Sequence, residues 1–173
     1  MKNVIKYNRP LAFCVLVIIV ALSLVVGCVR TLSSFENKVE NLYESTKAMA
    51  DINDLYGYAS KIQAGAKATG FDTAKLDEAL EALAKNASDP TALGDTVSVI
   101  FSESSILYSD ISYSSKVADM NSLTAYMAEI ESTMMRLQNN TKYNKAALDY
   151  NRAIRSFPAS IFALGRNNAA VFG

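Results

Sequence analysis

YNKAALDYNRAIRSFP, residues 143–158, places an aromatic ring at every seventh position: Tyr143, Tyr150 and Phe157. Seven residues complete two helical turns to within about 20°, so we expect the three rings on one stripe of one helix. Asn144 and Asn151 follow the two tyrosines and form a second stripe beside the rings. Rings and amides at this spacing predict a facing helix that covers the rings and satisfies the amides.

Pro158 ends this helical run because proline has no N–H and disfavours helical geometry at the residue before it. The helix is predicted to occupy about residues 115–156. Three consecutive polar residues interrupt its apolar stripe: Asn139, Asn140 and Thr141. This interruption predicts either a phase shift of the stripe or a hydrated notch in the protein.

Two earlier helices are predicted from capping signals and apolar spacing. The first occupies residues 33–70, because Ser33 and Glu36 match a capping box and Gly70 is a plausible stop. The second occupies about residues 73–87, with Asp72 as its cap. The membrane segment described below can continue directly into the first of these helices.

A third helix is predicted to start at Pro90, with Asp89 as its cap, and to fade into a serine-rich loop at residues 108–115. Strand is an alternative for residues 97–101 on propensity alone. The helical spacing on both sides of that stretch favours helix.

LAFCVLVIIVALSLVVGCV, residues 11–29, carries no charged side chain. A helix of this length rises about 28 Å, which is enough to cross the hydrocarbon of a bilayer. Both cysteines, Cys14 and Cys28, lie inside it, so no disulfide links the rest of the chain. Three basic residues precede the run, and the positive-inside rule therefore predicts a cytoplasmic N-terminus and a body outside the cytoplasm: Lys2, Lys6 and Arg9.

Cys28 offers a second interpretation of the same segment. Val25-Val26-Gly27-Cys28 fits a relaxed lipoprotein signal, in which Cys28 would be lipidated and the residues before it removed. The apolar stretch before Cys28 is longer than the roughly 7–15 residues of a usual signal core, which favours an uncleaved membrane helix. Both interpretations leave the body outside the cytoplasm and tied to a membrane.

These features predict an all-α protein with an N-terminal transmembrane helix followed by an antiparallel long-helix bundle of the four-helix type. Residues 1–10 form a cytoplasmic basic tail, residues 11–29 the transmembrane helix, residues 30–158 the helical bundle and residues 159–173 a short apolar tail. A continuous coiled-coil dimer is the alternative. The helix breakers at Gly70 and Pro90 favour a bundle that folds on itself.

Composition excludes several kinds of chemistry. The chain has no histidine, its thiols lie in the apolar segment, and it has no glycine-rich phosphate loop, so we assign no catalytic, cofactor or metal residue. Residues 36–131 hold 16 acids and 7 bases, whereas residues 132–173 hold 6 bases and 1 acid. We expect the basic last helix to pack on acidic neighbours. The alternative is a basic surface for anionic lipid or an acidic partner. The few bases argue against nucleic-acid binding.

The C-terminal motifs resemble the signature of the LemA family. They are Tyr143-Asn144, Tyr150-Asn151 and Phe157-Pro158, followed by Ile161-Phe162-Ala163 and Leu164-Gly165. The resemblance covers about residues 120–172. It implies a membrane-bound bacterial protein with a short N-terminal tail, a membrane helix or lipobox, a long-helix bundle and a biochemical role that is largely unassigned across the family.

We therefore expect a non-enzymatic scaffold or adaptor of the bacterial envelope, bound to the lipid bilayer and presenting a helical face to an envelope protein or to a second copy. One alternative is a sensor-like bundle that binds a small ligand or cation in the polar notch near residues 139–144. Another is an enzyme that uses carboxylates alone, for example those of Glu78 and Glu81.

Overall fold

A computed structural model of the chain describes residues 2–114 and 119–172, and every regular element among these residues is helical. The helices are α1 (Lys2–Ser45), α2 (Ala48–Thr69), α3 (Ala74–Asn86), α4 (Thr96–Ser112), α5 (Met120–Gln138), α6 (Thr141–Arg155) and α7 (Ala159–Phe162). The predicted all-α fold with an N-terminal apolar helix is confirmed. The predicted basic tail is residues 1–10, and the side chains of residues 1–9 lie outside those described.

Helix α1 is continuous for 44 residues and joins the apolar segment to the bundle. Large side chains of residues 11–24 are exposed, whereas Leu32 is fully buried. The capping box at Ser33 does not start a helix, and the alternative that the apolar segment continues directly into this helix is confirmed, because α1 runs unbroken through Ser33. Ser33 and Glu36 instead bind the guanidinium of Arg166, so a sequence that matches a capping box serves here as an attachment point for the C-terminal segment.

The predicted helix over residues 33–70 is divided into two, because α1 ends at Ser45 and α2 begins at Ala48. Lys47 between them has a left-handed backbone with φ of 65°. The Thr46 hydroxyl donates a hydrogen bond to the Leu42 carbonyl at 2.6 Å and accepts one from Asn140 at 2.7 Å. The break is therefore held by a tertiary contact that helical spacing does not reveal.

Helix α3 lies close to its predicted position, and the Asp72 carboxylate accepts a hydrogen bond from the Ala74 N–H at 3.0 Å. The expected start of the next helix at Pro90 is wrong, since α4 begins at Thr96. The Asp89 carboxylate accepts hydrogen bonds from both the N–H and the hydroxyl of Thr91. That local turn competes with helix at this position.

Helix α4 continues through Ser112, so the predicted loop at residues 108–115 is wrong over its described first half. The strand alternative at residues 97–101 is wrong as well, because those residues are helical. Burial of Leu107 and Ile111 favours continuation of the helix. The hydroxyls of Ser105 and Ser112 bond to carbonyls of the preceding turn, so the serines are satisfied without leaving the helix.

The predicted 40-residue fourth helix is also divided, into α5 and α6. Its predicted start at residue 115 lies outside the described residues, and α5 begins at Met120 with the Asp119 carboxylate accepting from the Ser122 N–H at 3.2 Å. The break falls at the predicted polar interruption. Asn140 caps α6 there by accepting a hydrogen bond from the Tyr143 N–H at 3.3 Å.

The helices pack as two broken rods that run antiparallel. Helix α1 packs on α6, and α2 packs on α5, with α3 and α4 covering α2. The two breaks lie side by side, as the bond between Thr46 and Asn140 shows. The part built from residues 32–45, α6, α7 and residues 163–172 adjoins the helix that is long and apolar enough to cross a membrane, and for that reason alone we call it the membrane-proximal half. The part built from α2 to α5 is the distal half. The bundle therefore folds on itself within one chain.

The residues after α6 form a turn and then return along the bundle. Helix α7 packs against both α1 and α6. Residues 163–172, which we call the C-terminal segment, run back along α6, since Ala169 bonds to Asn151 and Phe172 to Asn144. Ala163, Ala169, Ala170 and Phe172 are buried there, so the expected apolar tail is part of the core.

Candidate functional site

The tyrosines of the heptad pattern form the centre of the membrane-proximal half. Tyr143 is fully buried and Tyr150 is 1% exposed. The Tyr143 ring lies 5.5 Å from the ring of Tyr43 on α1 and 5.3 Å from that of Phe172. Such ring pairs add stability beyond the area that they bury. The facing helix is thus α1, and the C-terminal segment covers the other side.

Phe157 does not continue this stripe, contrary to the expectation from its spacing. It follows the end of α6 and 82% of its surface is exposed. The chain leaves the helix at Ser156, whose backbone is extended with φ of −88° and ψ of 136°. Pro158 follows through a cis peptide bond and lies at the start of α7. The buried rings of the pattern are therefore Tyr143 and Tyr150.

The two phenol groups at the centre are hydrogen-bond donors. Tyr43 donates to the Ala87 carbonyl and Tyr143 to the Ala170 carbonyl, each at 2.8 Å. Burial raises the pKa of both phenols well above the ordinary value, so both stay protonated at neutral pH. These hydroxyls tie the loop after α3 and the C-terminal segment to the core and are not suited to proton transfer.

The asparagine stripe holds the C-terminal segment and not a facing helix, which corrects the sequence-based expectation. The Asn151 amide donates to the Ala169 carbonyl at 2.8 Å and accepts from the Ala169 N–H at 2.7 Å. Asn144 accepts from the Phe172 N–H at 3.0 Å and donates to the Leu137 carbonyl at 2.9 Å. Two amide side chains thus satisfy an irregular segment that has no helical hydrogen bonds of its own.

Arg166 links the C-terminal segment to α1. Its guanidinium pairs with the Glu36 carboxylate and lies 3.4 Å from the Ser33 hydroxyl. Burial raises the pKa of the Tyr150 phenol, the Glu36 charge raises it further, and Arg166 opposes both effects.

Sequence reasoning missed Tyr43, Arg166 and Phe172. For Tyr43 a signal exists, because it lies seven and eleven residues after Glu36 and Leu32 on one face of α1.

A polar depression lies where the two helix breaks meet, as the interruption at residues 139–141 predicted. It is open to solvent, has a volume of about 870 Å³ and is lined in part by Asn139 and Asn140. Arg136 crosses it, with its Nε 2.7 Å from the Asp51 carboxylate and its Nη2 3.7 Å from that of Asp54. These acids already have a cation, so a metal ion would compete with Arg136. In the described ranges no three His, Cys, Asp or Glu residues are grouped as metal ligands.

The apolar segment is the other candidate for function. Among the residues that the structure describes, one helix is long and apolar enough to cross a membrane, and no residue of its most apolar 18-residue window is buried. Cys14 is exposed, whereas Cys28 is partly buried. The helix that carries the candidate lipidation residue is therefore the same helix that enters the bundle.

Comparison with known proteins adds no relative. No protein-family model matches the chain, and no similar protein was found among curated proteins or solved structures. The structure alone therefore defines what kind of protein this is. It is an all-helical protein in which an exposed apolar N-terminal helix continues into a bundle whose C-terminal segment is held by asparagine side chains.

Proposed function

We propose that this protein is a membrane-anchored, non-enzymatic scaffold or adaptor of the bacterial envelope, similar in plan to LemA-family proteins. Helix α1 carries the proposal, because its exposed apolar part and its buried bundle part form one uninterrupted helix. A row of large apolar side chains exposed over nearly 20 residues is unfavourable in water, and a bilayer is the surrounding that it fits.

The arrangement of charges and the position of Cys28 bear on topology. In the proposed orientation the N-terminus is cytoplasmic and the bundle lies outside the cytoplasm, following the basic residues before the apolar run. The lipoprotein alternative keeps the bundle at the same surface through Cys28. Intact-mass measurement of the chain extracted from membranes separates the two, since only the lipoprotein loses residues 1–27 and gains acyl groups.

A non-enzymatic role is supported by how the polar groups of the core are used. The phenols of Tyr43 and Tyr143 donate to backbone carbonyls, and the amides of Asn144 and Asn151 hold the C-terminal segment. Each group is engaged in holding the bundle together, which suits a rigid support for a partner. The partner would be an envelope protein or a second copy of the chain.

Two measurements test the proposal. In alkaline carbonate extraction we expect the full chain to stay with the membranes and a variant lacking residues 11–29 to be released.

In affinity purification from detergent we expect the same envelope proteins, or a second copy, to be enriched repeatedly. The control is a chimera in which residues 1–31 carry an unrelated soluble domain. A chain that retains nothing beyond what the chimera retains would contradict a scaffold role.

The polar depression favours a second candidate, a sensor-like bundle that binds a small ligand. Arg136 presents a guanidinium at an open depression of about 870 Å³. A ligand that binds there raises the melting temperature of the folded chain. Thermal-shift measurements on the full chain in detergent, against metal salts and anionic metabolites, test this role, and the Arg136→Gln variant is the control. The absence of any shift that this variant removes would count against it.

A further inference from the structure

The end of the bundle nearest the apolar helix exposes large apolar side chains. Phe157 exposes 82%, Ile161 54% and Leu164 87% of its surface. Phe157 lies just after α6, Ile161 lies on α7 and Leu164 lies at the start of the C-terminal segment, and we call these three residues the apolar turn. A cluster of this kind marks a contact surface, because exposed apolar groups are unfavourable in water.

The antiparallel register brings the apolar turn to the level at which the apolar run of α1 ends. Tyr43 on α1 lies against Tyr143 on α6. Phe157 follows Tyr143 by the same number of residues by which Val29 precedes Tyr43. Because both helices rise about 1.5 Å per residue, Phe157 falls about level with Val29. The apolar turn is therefore beside the boundary between the membrane segment and the bundle.

One further contact and one pattern of burial place the apolar turn at this level. Arg166, just after it, reaches Ser33 on α1 at 3.4 Å. Within the apolar run, Val25 and Cys28 are partly buried while the other residues are exposed, and both lie on the face of α1 that carries Leu32. The side of α1 that faces the bundle thus begins inside the apolar run, so the bundle and the bilayer meet without a gap.

Three exposed arginines lie near the level of the apolar turn, on α1 and on the end of α6. Arg30 lies on α1, directly after the apolar run, and Arg152 and Arg155 lie on the last turns of α6. Arg152 is also 3.7 Å from the Asp149 carboxylate, in a pair whose arginine is largely exposed. We call the three arginines the basic rim. Arginines next to a membrane segment bind anionic lipid headgroups.

We propose that the apolar turn inserts into the interface of the same bilayer that α1 enters, with the basic rim on its anionic headgroups. This inference rests on the membrane anchoring in the proposed function and adds a second attachment. Apolar side chains of interfacial segments lie about 5–10 Å into the boundary between headgroups and acyl chains, which matches a turn level with Val29. Two attachments fix the face of the bundle that is turned toward the membrane.

The chain has no tryptophan, so a single introduced tryptophan reports its own surroundings. We would place the full-length Phe157→Trp and Ile161→Trp variants in vesicles of phosphatidylcholine mixed with phosphatidylglycerol, with and without brominated acyl chains. The matched control is Leu148→Trp, because Leu148 is 52% exposed, close to the 54% of Ile161. Leu148 lies on α6 and, by register, about 13 Å farther from the membrane than Phe157.

At the apolar turn we expect blue-shifted emission and at least about twofold more quenching by brominated lipid than at Leu148. Equal, weak quenching at all three positions, in chains that float with the vesicles, would overturn the second attachment and leave the anchor intact. Chains that fail to float with the vesicles would overturn the anchor and this inference together.

The basic rim is tested by the double variant Arg152→Gln, Arg155→Gln in the Phe157→Trp chain. We expect it to lower quenching in vesicles that contain phosphatidylglycerol and to leave quenching in pure phosphatidylcholine unchanged. Identical quenching of parent and double variant in both lipids would overturn the role of these arginines at the headgroups.

Discussion

The membrane-proximal and distal halves of the bundle are joined by different kinds of interaction. In the distal half, α2 packs on α5, and the buried side chains of the two helices are mostly small or aliphatic, among them Ala59, Ala66 and Leu123. Polar and aromatic contacts between these helices, such as those of Arg136 with Asp51 and Tyr58 with Tyr126, are partly exposed. In the membrane-proximal half, the Tyr143 phenol and the Asn151 amide bond to backbone groups of the C-terminal segment, and the Arg166 guanidinium pairs with a carboxylate on α1. The core of the distal half therefore relies mainly on the fit of apolar side chains, and the core of the membrane-proximal half relies on directional hydrogen bonds.

The difference follows from what each half must hold. Helices satisfy their own backbone groups, so the buried contacts between α2 and α5 can be mainly apolar. The C-terminal segment has no helical bonds over residues 163–172, and its buried N–H and carbonyl groups need outside partners. Asn144 and Asn151 supply partners for Phe172 and Ala169, while Tyr143 and the Pro90 carbonyl supply those of Ala170. We therefore expect the membrane-proximal half to suffer most from loss of polar groups and the distal half from changes of volume.

The largest effect is expected at the ring that joins α1, α6 and the C-terminal segment. Tyr143→Ala should lower the free energy of unfolding by about 4 kcal/mol, because it removes a fully buried ring. Tyr143→Phe keeps the ring but leaves the Ala170 carbonyl unpaired, at a cost of about 1–2 kcal/mol. Urea unfolding of the full chain in detergent measures both. Tyr113→Ala, at a site 89% exposed, is the control and should change stability by less than about 0.5 kcal/mol.

Asn151→Ala tests whether amides hold the C-terminal segment. It leaves both the N–H and the carbonyl of Ala169 without their partner, so we expect a loss of about 2–3 kcal/mol. Amide exchange at Ala169 should become faster while exchange in α2 changes little. Asn168→Ala, at an exposed asparagine of the same segment, is the control. Unchanged exchange at Ala169 would mean that the segment stays in place without the amide.

Two glycines of α2 offer a matched test of packing in the distal half. A Cβ at Gly65 would lie 2.8 Å from a methyl group of Leu123, whereas a Cβ at Gly57 meets nothing within 4 Å. Gly57→Ala should stabilise the chain by about 0.5–1 kcal/mol through helix propensity. Gly65→Ala gains the same propensity but overpacks the interface, so it should be less stable than Gly57→Ala by about 1–2 kcal/mol. Equal stability of the two variants in urea unfolding would show that α2 and α5 are loosely packed.

A gain of stability is also expected at a buried serine of the distal half. The Ser104 hydroxyl on α4 is fully buried and has no hydrogen-bond partner among the described residues. Ser104→Ala removes an unpaired polar group and should stabilise the distal half by about 1 kcal/mol. Thermal unfolding followed by circular dichroism measures the gain. A loss of stability would indicate that the hydroxyl is bonded in the folded protein.

Regular features of this fold could be predicted from the sequence because they depend on periodic apolar residues. The uncharged run at residues 11–29 and the stripe that contains Tyr143 and Tyr150 both indicate helices, and both are helical. The polar interruption at residues 139–141 also marks a true break. The matching break at Lys47 could not be predicted, because its residues are compatible with helix and the contact that holds it comes from Asn140, far along the chain.

The partner of the asparagine stripe was harder to predict than the stripe itself. Spacing shows that Asn144 and Asn151 share a face, and burial requires that their amides be satisfied. The residues that satisfy them, Ala169 and Phe172, lie in a segment with no periodic pattern. A segment held by side chains from another element leaves no local signal in its own sequence.

The uninterrupted course of α1 has a mechanical consequence. With no flexible joint after Val29, any tilt of the apolar segment is passed on as rotation of the whole bundle. Ser45 lies 16 residues beyond Val29, or about 24 Å along the axis, so a 10° tilt swings it sideways by about 4 Å. Tilt in a membrane depends on bilayer thickness, so in the proposed anchored state a change of lipid composition would move the surface that the proposed scaffold offers to a partner.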